Sequence, residues 1–384
     1  MSQGVYLDYN ATTPVLPEVL EAMLPYFTER FGNAASPHLW GKDAQMAVEE
    51  ARESLARSLG VTSQEIVFTS GATEALNQAL FGIAEAYITT GRRRILAAST
   101  EHKAILDPLR ILSKRGWITE LLPVDENGLV SLDDLRRALR DDTLLVCIML
   151  ANNETGVIQP IAHLAKMAHE VGALFLCDTT QAIGKIPVYL PDLEVDLAVL
   201  SAHKFYGPKG IGALYIRRRQ PRVSLQPLLY GGGHERGLRS GTLPVPLIVG
   251  MKAAYEQVSK DLVEESARQA LIRDQLAQGL LHLYPLAQIN GSGAPRLPNT
   301  LNISFPGAKA SDILARAPLV AAATGSACTS ARPEPSHVLL AMGLSPELAR
   351  STLRFSVGRF TTETDIQIAL AYLNRALEAL RPVG

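Results

Sequence analysis

Through the first two-thirds of this 384-residue chain, short apolar runs alternate with stretches of helical character. The runs fall at 66–69, 94–98, 143–150, 173–177 and 213–216, and helix-like segments occupy 72–87, 103–115 and 161–171. Near-continuous apolar strands separated by helices mark a parallel sheet covered on both faces. The expected fold class is therefore α/β, with a mainly parallel sheet between helices, and ligands in such sheets bind beyond the carboxyl ends of the strands. From about residue 255 the pattern changes to a long amphipathic stretch (258–284), an apolar run at 302–305, a Gly/Ala-rich segment and a closing helix over 361–380. We expect a large domain at 15–254 and a smaller α/β domain made of 1–14 and 255–384.

Lys and Arg number 37 against 38 Asp and Glu, a balance that gives no support to direct nucleic-acid binding or to a polybasic membrane surface. No 18-residue apolar run occurs and the first residues do not read as a signal peptide, so a cytoplasmic protein with no membrane span is expected. Three cysteines, widely spaced and without a C-x-x-C, suggest neither a disulfide framework nor a zinc site. Cys147 and Cys177 lie in apolar runs and read as small buried hydrophobes, whereas Cys328 lies in the small, polar stretch Gly325-Ser326-Ala327-Cys328-Thr329-Ser330. The eight histidines form no H-E-x-x-H pair, and no metal is assigned.

Several polar residues sit where the predicted strands end. Lys204 follows an apolar strand directly and leads into the turn 205–212. A lone loop lysine is ordinarily solvated surface; its company argues otherwise. Asp178 ends the run 173–177, where a carboxylate can pair with a pyridinium nitrogen, although Asp178-Thr179-Thr180-Gln181 also has the form of a helix capping box. Thr69-Ser70-Gly71-Ala72-Thr73-Glu74 follows a strand and opens a helix, a start suited to a phosphate but also the ordinary form of a helix cap. His102 ends another strand, and a histidine there can stack on a ring or move protons, though a packed or surface histidine is the commoner case. Together a lysine, a carboxylate, a helix-start phosphate cup and a planar ring are what pyridoxal phosphate requires. The glycines do not follow G-x-G-x-x-G, which disfavours a dinucleotide fold.

In order and spacing these residues resemble the cysteine desulfurases, within the class V aminotransferase family of fold-type I pyridoxal-phosphate enzymes. The resemblance runs nearly end to end. It includes Tyr6-Leu7-Asp8-Tyr9-Asn10-Ala11-Thr12-Thr13-Pro14, Ala151-Asn152-Asn153-Glu154-Thr155-Gly156, Ser201-Ala202-His203-Lys204, Gly231-Gly232-Gly233-His234-Glu235-Arg236, Arg239-Ser240-Gly241-Thr242, Gly325-Ser326-Ala327-Cys328-Thr329-Ser330 and Arg354-Phe355-Ser356-Val357-Gly358-Arg359. It implies a seven-stranded sheet in the large domain and pyridoxal 5′-phosphate as cofactor. Lys204 would carry the cofactor as a Schiff base, Asp178 would pair with its ring nitrogen, and His102 would stack on the ring and carry proton traffic at the departing or attacking sulfur. Asn153 and Gln181 would lie around the ring, while Ala72, Thr73, Ser201 and His203 would hold the phosphate. Thr242 would reach the phosphate of the neighbouring subunit, which implies a homodimer. Arg354 would clamp the substrate carboxylate, with Asn33 beside it.

The resemblance further implies that L-cysteine is converted to L-alanine while its sulfur passes to Cys328 as a persulfide. A persulfide-accepting protein such as an iron-sulfur scaffold would then take it. The likeness is to the group with a Ser/Gly-rich cysteine loop, as in the iron-sulfur-cluster and nitrogen-fixation enzymes. Ala202 stands where that family has glycine, Thr179 where it has alanine, and the stretch 307–323 is shorter than the family norm. Other readings are a selenocysteine lyase, another pyridoxal-phosphate aminotransferase or lyase in which Cys328 is dispensable, and a non-catalytic scaffold, which predicts a damaged cofactor set.

Overall fold

The computed structural model describes residues 4–219, 222–324 and 334–380. Among them the strands are β1 (Val5–Tyr6), β2 (Ile66–Thr69), β3 (Arg94–Ala98), β4 (Ile118–Leu122), β5 (Thr143–Cys147), β6 (Leu174–Asp178), β7 (Leu197–Ser201), β8 (Gly212–Ile216), β9 (Gln288–Ile289), β10 (Thr300–Ser304), β11 (Val320–Ala321), β12 (Ala323–Thr324) and β13 (Thr352–Ser356). Seven of them make one sheet in the order β2-β8-β7-β6-β5-β3-β4. Only β8 runs antiparallel to its neighbours; the other pairings are parallel.

Side chains on successive strand residues point to opposite faces, and this sheet buries both. Phe68, Leu96, Val146, Phe175 and Ala198 join one core with the helices Leu39–Leu59, Ile161–Glu170 and Val245–Ser259. Their neighbours Val67, Ile95, Leu145, Leu176 and Leu197 join a second core with the helices Ala72–Ala86 and Lys103–Lys114. That is why the strands read as unbroken apolar runs rather than as alternating ones. Each of the larger of these side chains, the Val, Leu, Ile and Phe, contributes about 1.5–3 kcal/mol by leaving water.

A third core lies under an antiparallel sheet ordered β12-β13-β10-β9, covered by the helices Leu262–Leu283 and Glu363–Glu378. Val5 and Leu7 belong to it, and β1 pairs with β11, so the N-terminal segment packs with residues from late in the chain. The helix Val245–Ser259 packs on the first core as far as Tyr255 and Val258, so a division at residue 255 passes through it. The amphipathic stretch expected over 258–284 breaks at Lys260–Asp261. There the Asp261 carboxylate takes two hydrogen bonds from the Arg359 guanidinium, at 2.7 and 2.8 Å, holding the corner between two helices.

One buried ion pair ties a helix to the sheet. Arg52 donates to both carboxylate oxygens of Glu235 at 2.7 Å, and Glu235 also accepts the Phe68 amide at 2.8 Å. Both side chains are nearly inaccessible, at 2% and 1% exposure, so neither charge has water to fall back on. Removing one partner of a fully buried pair costs about 3–5 kcal/mol; Arg52 keeps a second carboxylate, Glu49, at 3.2 Å, which offsets part of that cost when Glu235 is lost. Glu235→Ala is expected to lower the free energy of unfolding in urea by up to about 3–5 kcal/mol, and with it the midpoint, and Glu235→Gln by less. Equal midpoints for wild type and Glu235→Ala in urea unfolding followed by circular dichroism would refute this.

Candidate active site

Strands β2, β3, β5, β6 and β7 end on one side of the sheet, and the segments that leave them line a cavity of about 960 Å³. Ala72, Thr73, His102, Asn153, Asp178, Gln181, Ser201, His203, Lys204 and Arg354 all line it. The structure thus brings together ten of the residues singled out from the sequence. Two others stand apart. Asn33 is exposed and its Oδ1 accepts the Ala35 amide at 2.9 Å, and Thr242 is exposed away from its own chain's cavity. Cys328 lies outside the described residues. The described chain meets the cavity on either side of that segment, at Thr324 and at Glu334, Pro335, Ser336 and His337.

Lys204 ends the single 3-10 turn Ala202–Lys204 that follows β7. Its Nζ donates to the carbonyls of Asn10 and Ala11 at 2.7 and 2.8 Å. The N-terminal segment is fixed there by its own threonines: Thr13 Oγ1 donates to the His203 carbonyl at 3.1 Å and accepts the Tyr206 amide at 2.8 Å. His203 Nδ1 lies 3.2 Å from Thr12 Oγ1, and burial with Lys204, Lys209 and Lys185 nearby pushes its pKa down to about 4. The ring is therefore neutral at pH 7. Ala202 is fully buried, its methyl against Gly207, and does not intrude on the cavity.

The capping-box form around Asp178 does not become a helix cap. Asp178 is the last residue of β6, and turns, not a helix, follow it. Its Oδ1 accepts the Thr180 amide at 2.9 Å. Gln181, which would have completed the box, instead donates from Nε2 to the Asn10 carbonyl at 3.0 Å. Behind it the fully buried Lys185 donates to Gln181 Oε1 at 2.9 Å, which fixes the orientation of that amide; burial holds the Lys185 amine well below its usual pKa. Thr179 buries its hydroxyl on the Val199 carbonyl at 2.7 Å, so its extra polar group is satisfied within the sheet.

The helix Ala72–Ala86 begins at Gly71 without a side-chain cap. Gly71 has φ of 151°, open to glycine and few others, and Gly212 lets β8 come close behind it: a Cβ at 212 would lie 2.7 Å from the Gly71 Cα. The uncapped first-turn amides and the positive end of the helix dipole make an anion cradle at the cavity wall. Glu74, beside it, accepts the Ser70 amide and holds Arg239 at 2.8 Å, anchoring the segment that carries Thr242.

The adjacent asparagines divide their work. Asn152 Oδ1 accepts the amides of Glu154 and Thr155 and shapes the turn, while the Asn153 side chain lines the cavity. Arg354 arrives from β13. It donates to Asp8 Oδ1 at 2.6 Å and to the Asn153 carbonyl at 2.9 Å, and its Nε is buried without a partner among the described residues. Sequence reading assigned no role to Asp8, Glu154, Lys185, Ser336 or His337. Asp8 and Glu154 fall inside motifs that were noticed, but nothing local marks the other three. Glu154 is buried, accepts from Ser336 Oγ, and has its pKa raised to about 7 by that burial.

Among the described residues no helix is long and apolar enough to cross a membrane, and no three His, Cys, Asp or Glu side chains gather as a metal site. The sequence profile of the class V aminotransferases matches residues 5–368. A curated relative named cysteine desulfurase IscS, from Anaeromyxobacter dehalogenans, is 48% identical over 100% of this chain and 95% of its own length. The solved structure of a NifS-like protein superposes with a TM-score of 0.90 at 39% identity, covering 98% of this chain and 100% of that one. SspA, solved in complex with cysteine, superposes with a TM-score of 0.83 at 35% identity, covering 93% and 100%. Matched over nearly its whole length in sequence and alike in fold, the chain belongs to the class V aminotransferase family.

Proposed function

We propose that this protein is a pyridoxal-phosphate-dependent cysteine desulfurase that converts L-cysteine to L-alanine and loads the sulfur on Cys328. The observation that carries the reading is the convergence of Lys204, Asp178, His102 and the uncapped helix start at Gly71 on one cavity, with Arg354 entering from the third core. These groups fit the cofactor. The free amides after Gly71, with Thr73, Ser201 and His203, would hold its phosphate. Asp178 would keep the ring nitrogen protonated, Lys204 would hold the aldehyde, His102 would cover the ring, and Asn153 and Gln181 would flank it. When bound, the cofactor supplies an electron sink for negative charge at the substrate's α-carbon. Lys204, displaced by the substrate amine, has an Nζ placed to take up and return the α-proton. Arg354 would receive the substrate carboxylate in a two-pronged contact, in competition with Asp8. Overall the Cβ–S bond of cysteine is exchanged for an S–S bond on Cys328, leaving alanine.

The relatives named cysteine desulfurase IscS support this chemistry, and SspA holds cysteine in a closely similar fold. Delivery to an iron-sulfur scaffold is the acceptor we favour, in a cytoplasmic setting. A homodimer is favoured too. Phe31, Leu39, Trp40, Met46 and Tyr230 are large apolar side chains left exposed, Tyr230 at 77%, and Ala34, Ala35, His234 and Leu243 line one cleft beside Thr242. We read residues 15 to about 259 as the large domain and 1–14 with the remainder of the chain as the small one, the boundary expected at 254/255 moving to the end of the helix Val245–Ser259.

Purified holoenzyme given L-cysteine and a thiol reductant is expected to release alanine and sulfide in equal amounts, with no keto acid consumed or formed. Turnover of selenocysteine alone would identify a selenocysteine lyase instead. Keto-acid-dependent amino transfer without sulfide would identify an aminotransferase.

A further inference from the structure

Three histidines line the cavity; His203 stands with the groups that would hold the phosphate, and the hydrogen bonds of the other two, His102 and His337, make them chemically different. His102 Nδ1 accepts the Ala104 amide at 3.1 Å, capping the helix Lys103–Lys114. An amide only donates, so the neutral ring carries its proton on Nε2 and its one bare nitrogen is committed. His102 takes up a proton only by giving up a cap worth about 1 kcal/mol. His337 is the reverse case. Its Nε2 lies 2.9 Å from the Glu101 carbonyl, which only accepts, so Nε2 bears the proton. Nδ1 is then bare, and it makes no hydrogen bond among the described residues.

The ring is held firmly. His337 is the first residue of the helix His337–Ala341, whose N-cap Ser336 accepts the Leu339 amide and donates to the buried carboxyl of Glu154. The charged groups facing it are Lys103, Asp107 and Arg110 on one helix, His102 before that helix, Glu101 through its carbonyl, and Glu334 and Glu154 at the cavity wall. Burial, with Lys103 and Arg110 adding to it, outweighs the Glu101 carbonyl and Asp107 and holds the imidazole below the usual histidine range.

We propose that His337 is the proton acceptor for the substrate thiol in this cavity, and that His102 is confined to covering the cofactor ring and donating from Nε2. The proposal rests on the desulfurase reading and deepens it. In the step the S–H bond breaks, an N–H bond forms at His337 Nδ1, and the electron pair stays on sulfur as thiolate. Lys204, Lys209 and Arg354 line the same cavity together with Asp8, Glu74, Glu154, Asp178 and Glu334, and a cation standing beside the bound thiol lowers its pKa toward that of the acceptor.

His337→Gln keeps an N–H donor for the Glu101 carbonyl and removes the bare nitrogen. In the holoenzyme it is expected to lower alanine release about 100-fold or more and to abolish the acid limb of the kcat/KM pH profile, with cofactor absorbance unchanged. The base form exists above the His337 pKa, so the wild-type rate falls as pH drops through it. A second readout does not depend on turnover. Diethyl pyrocarbonate acylates bare imidazole nitrogens, and peptide mapping of the wild-type holoenzyme should find His337 modified ahead of His102. A wild-type rate and acid limb in His337→Gln, or labelling of His102 first, overturns the proposal. Should the wild type release no alanine from cysteine, the desulfurase reading falls, and the labelling order still decides which histidine offers the bare nitrogen.

Discussion

Lys204→Ala is expected to cut alanine release from cysteine by at least about 10⁴-fold, combining the loss of a positioned base with the loss of the covalent tether. Four lysines surround this cavity or stand behind it, so the choice needs an argument. Lys185 is fully buried, and its amine is occupied by the carbonyl and side-chain oxygens of Gln181. Lys103 and Lys209 are exposed at the rim. Lys204 alone ends a strand-to-turn connection that starts from the middle of the sheet, with its Nζ held on two carbonyls of the N-terminal segment. Those two contacts are a small part of what fixes that segment, since Asn10 also bonds Ser356, Thr300 and Asn299 through its amide and side chain. The variant should therefore fold with its thermal midpoint close to that of wild type. Lys204→Arg should fare no better than alanine, because a guanidinium stays protonated and does not form the Schiff base. Absorbance of a lysine Schiff base surviving in dialysed, substrate-free Lys204→Ala would overturn the assignment.

The α/β architecture was legible because fully buried strands leave a plain trace: both alternating sets of side chains are apolar, and the polar residue that ends the run marks the ligand side of the sheet. Lys204, Asp178, His102 and the Gly71 turn were found in that way. Asp178 shows the limit of local reading. Its capping-box spelling was real, yet Gln181 went to Asn10 and Lys185, partners more than 170 residues before it and four after it. The rest of the site is built from pairs distant in sequence, namely Asp8 with Arg354, Glu154 with Ser336, and Glu101 with His337. No window of sequence contains both members of such a pair, so neither spacing nor periodicity points to them. The helix break at Lys260–Asp261 is likewise met by a partner distant in sequence, Arg359, whose guanidinium holds the Asp261 carboxylate at the corner.

Cys328→Ser is expected to bind the cofactor as wild type does and to lose alanine and sulfide production by at least about 10³-fold, as removal of a nucleophile does elsewhere. The other two cysteines offer no substitute. Cys147 and Cys177 are fully buried in β5 and β6, and burial pushes both thiols well above their usual pKa, so neither reaches the thiolate form at neutral pH. Both also sit within the sheet's cores, away from the cavity lining. Cys328 stands four residues after Thr324 and six before Glu334. Thr324 lines the cavity at the end of β12, and four residues of chain span at most about 14 Å. From Glu334 onward the chain lines the cavity again, so the tether runs from both sides. A serine hydroxyl keeps the size of the side chain but is not ionised at neutral pH, and it cannot carry sulfur as a persulfide. Cofactor retention is the control that separates lost chemistry from lost folding, because Lys204, Asp178 and Gly71 all stand outside that segment. If Cys328→Ser releases alanine from cysteine at the wild-type rate, sulfur leaves the substrate without passing through this residue.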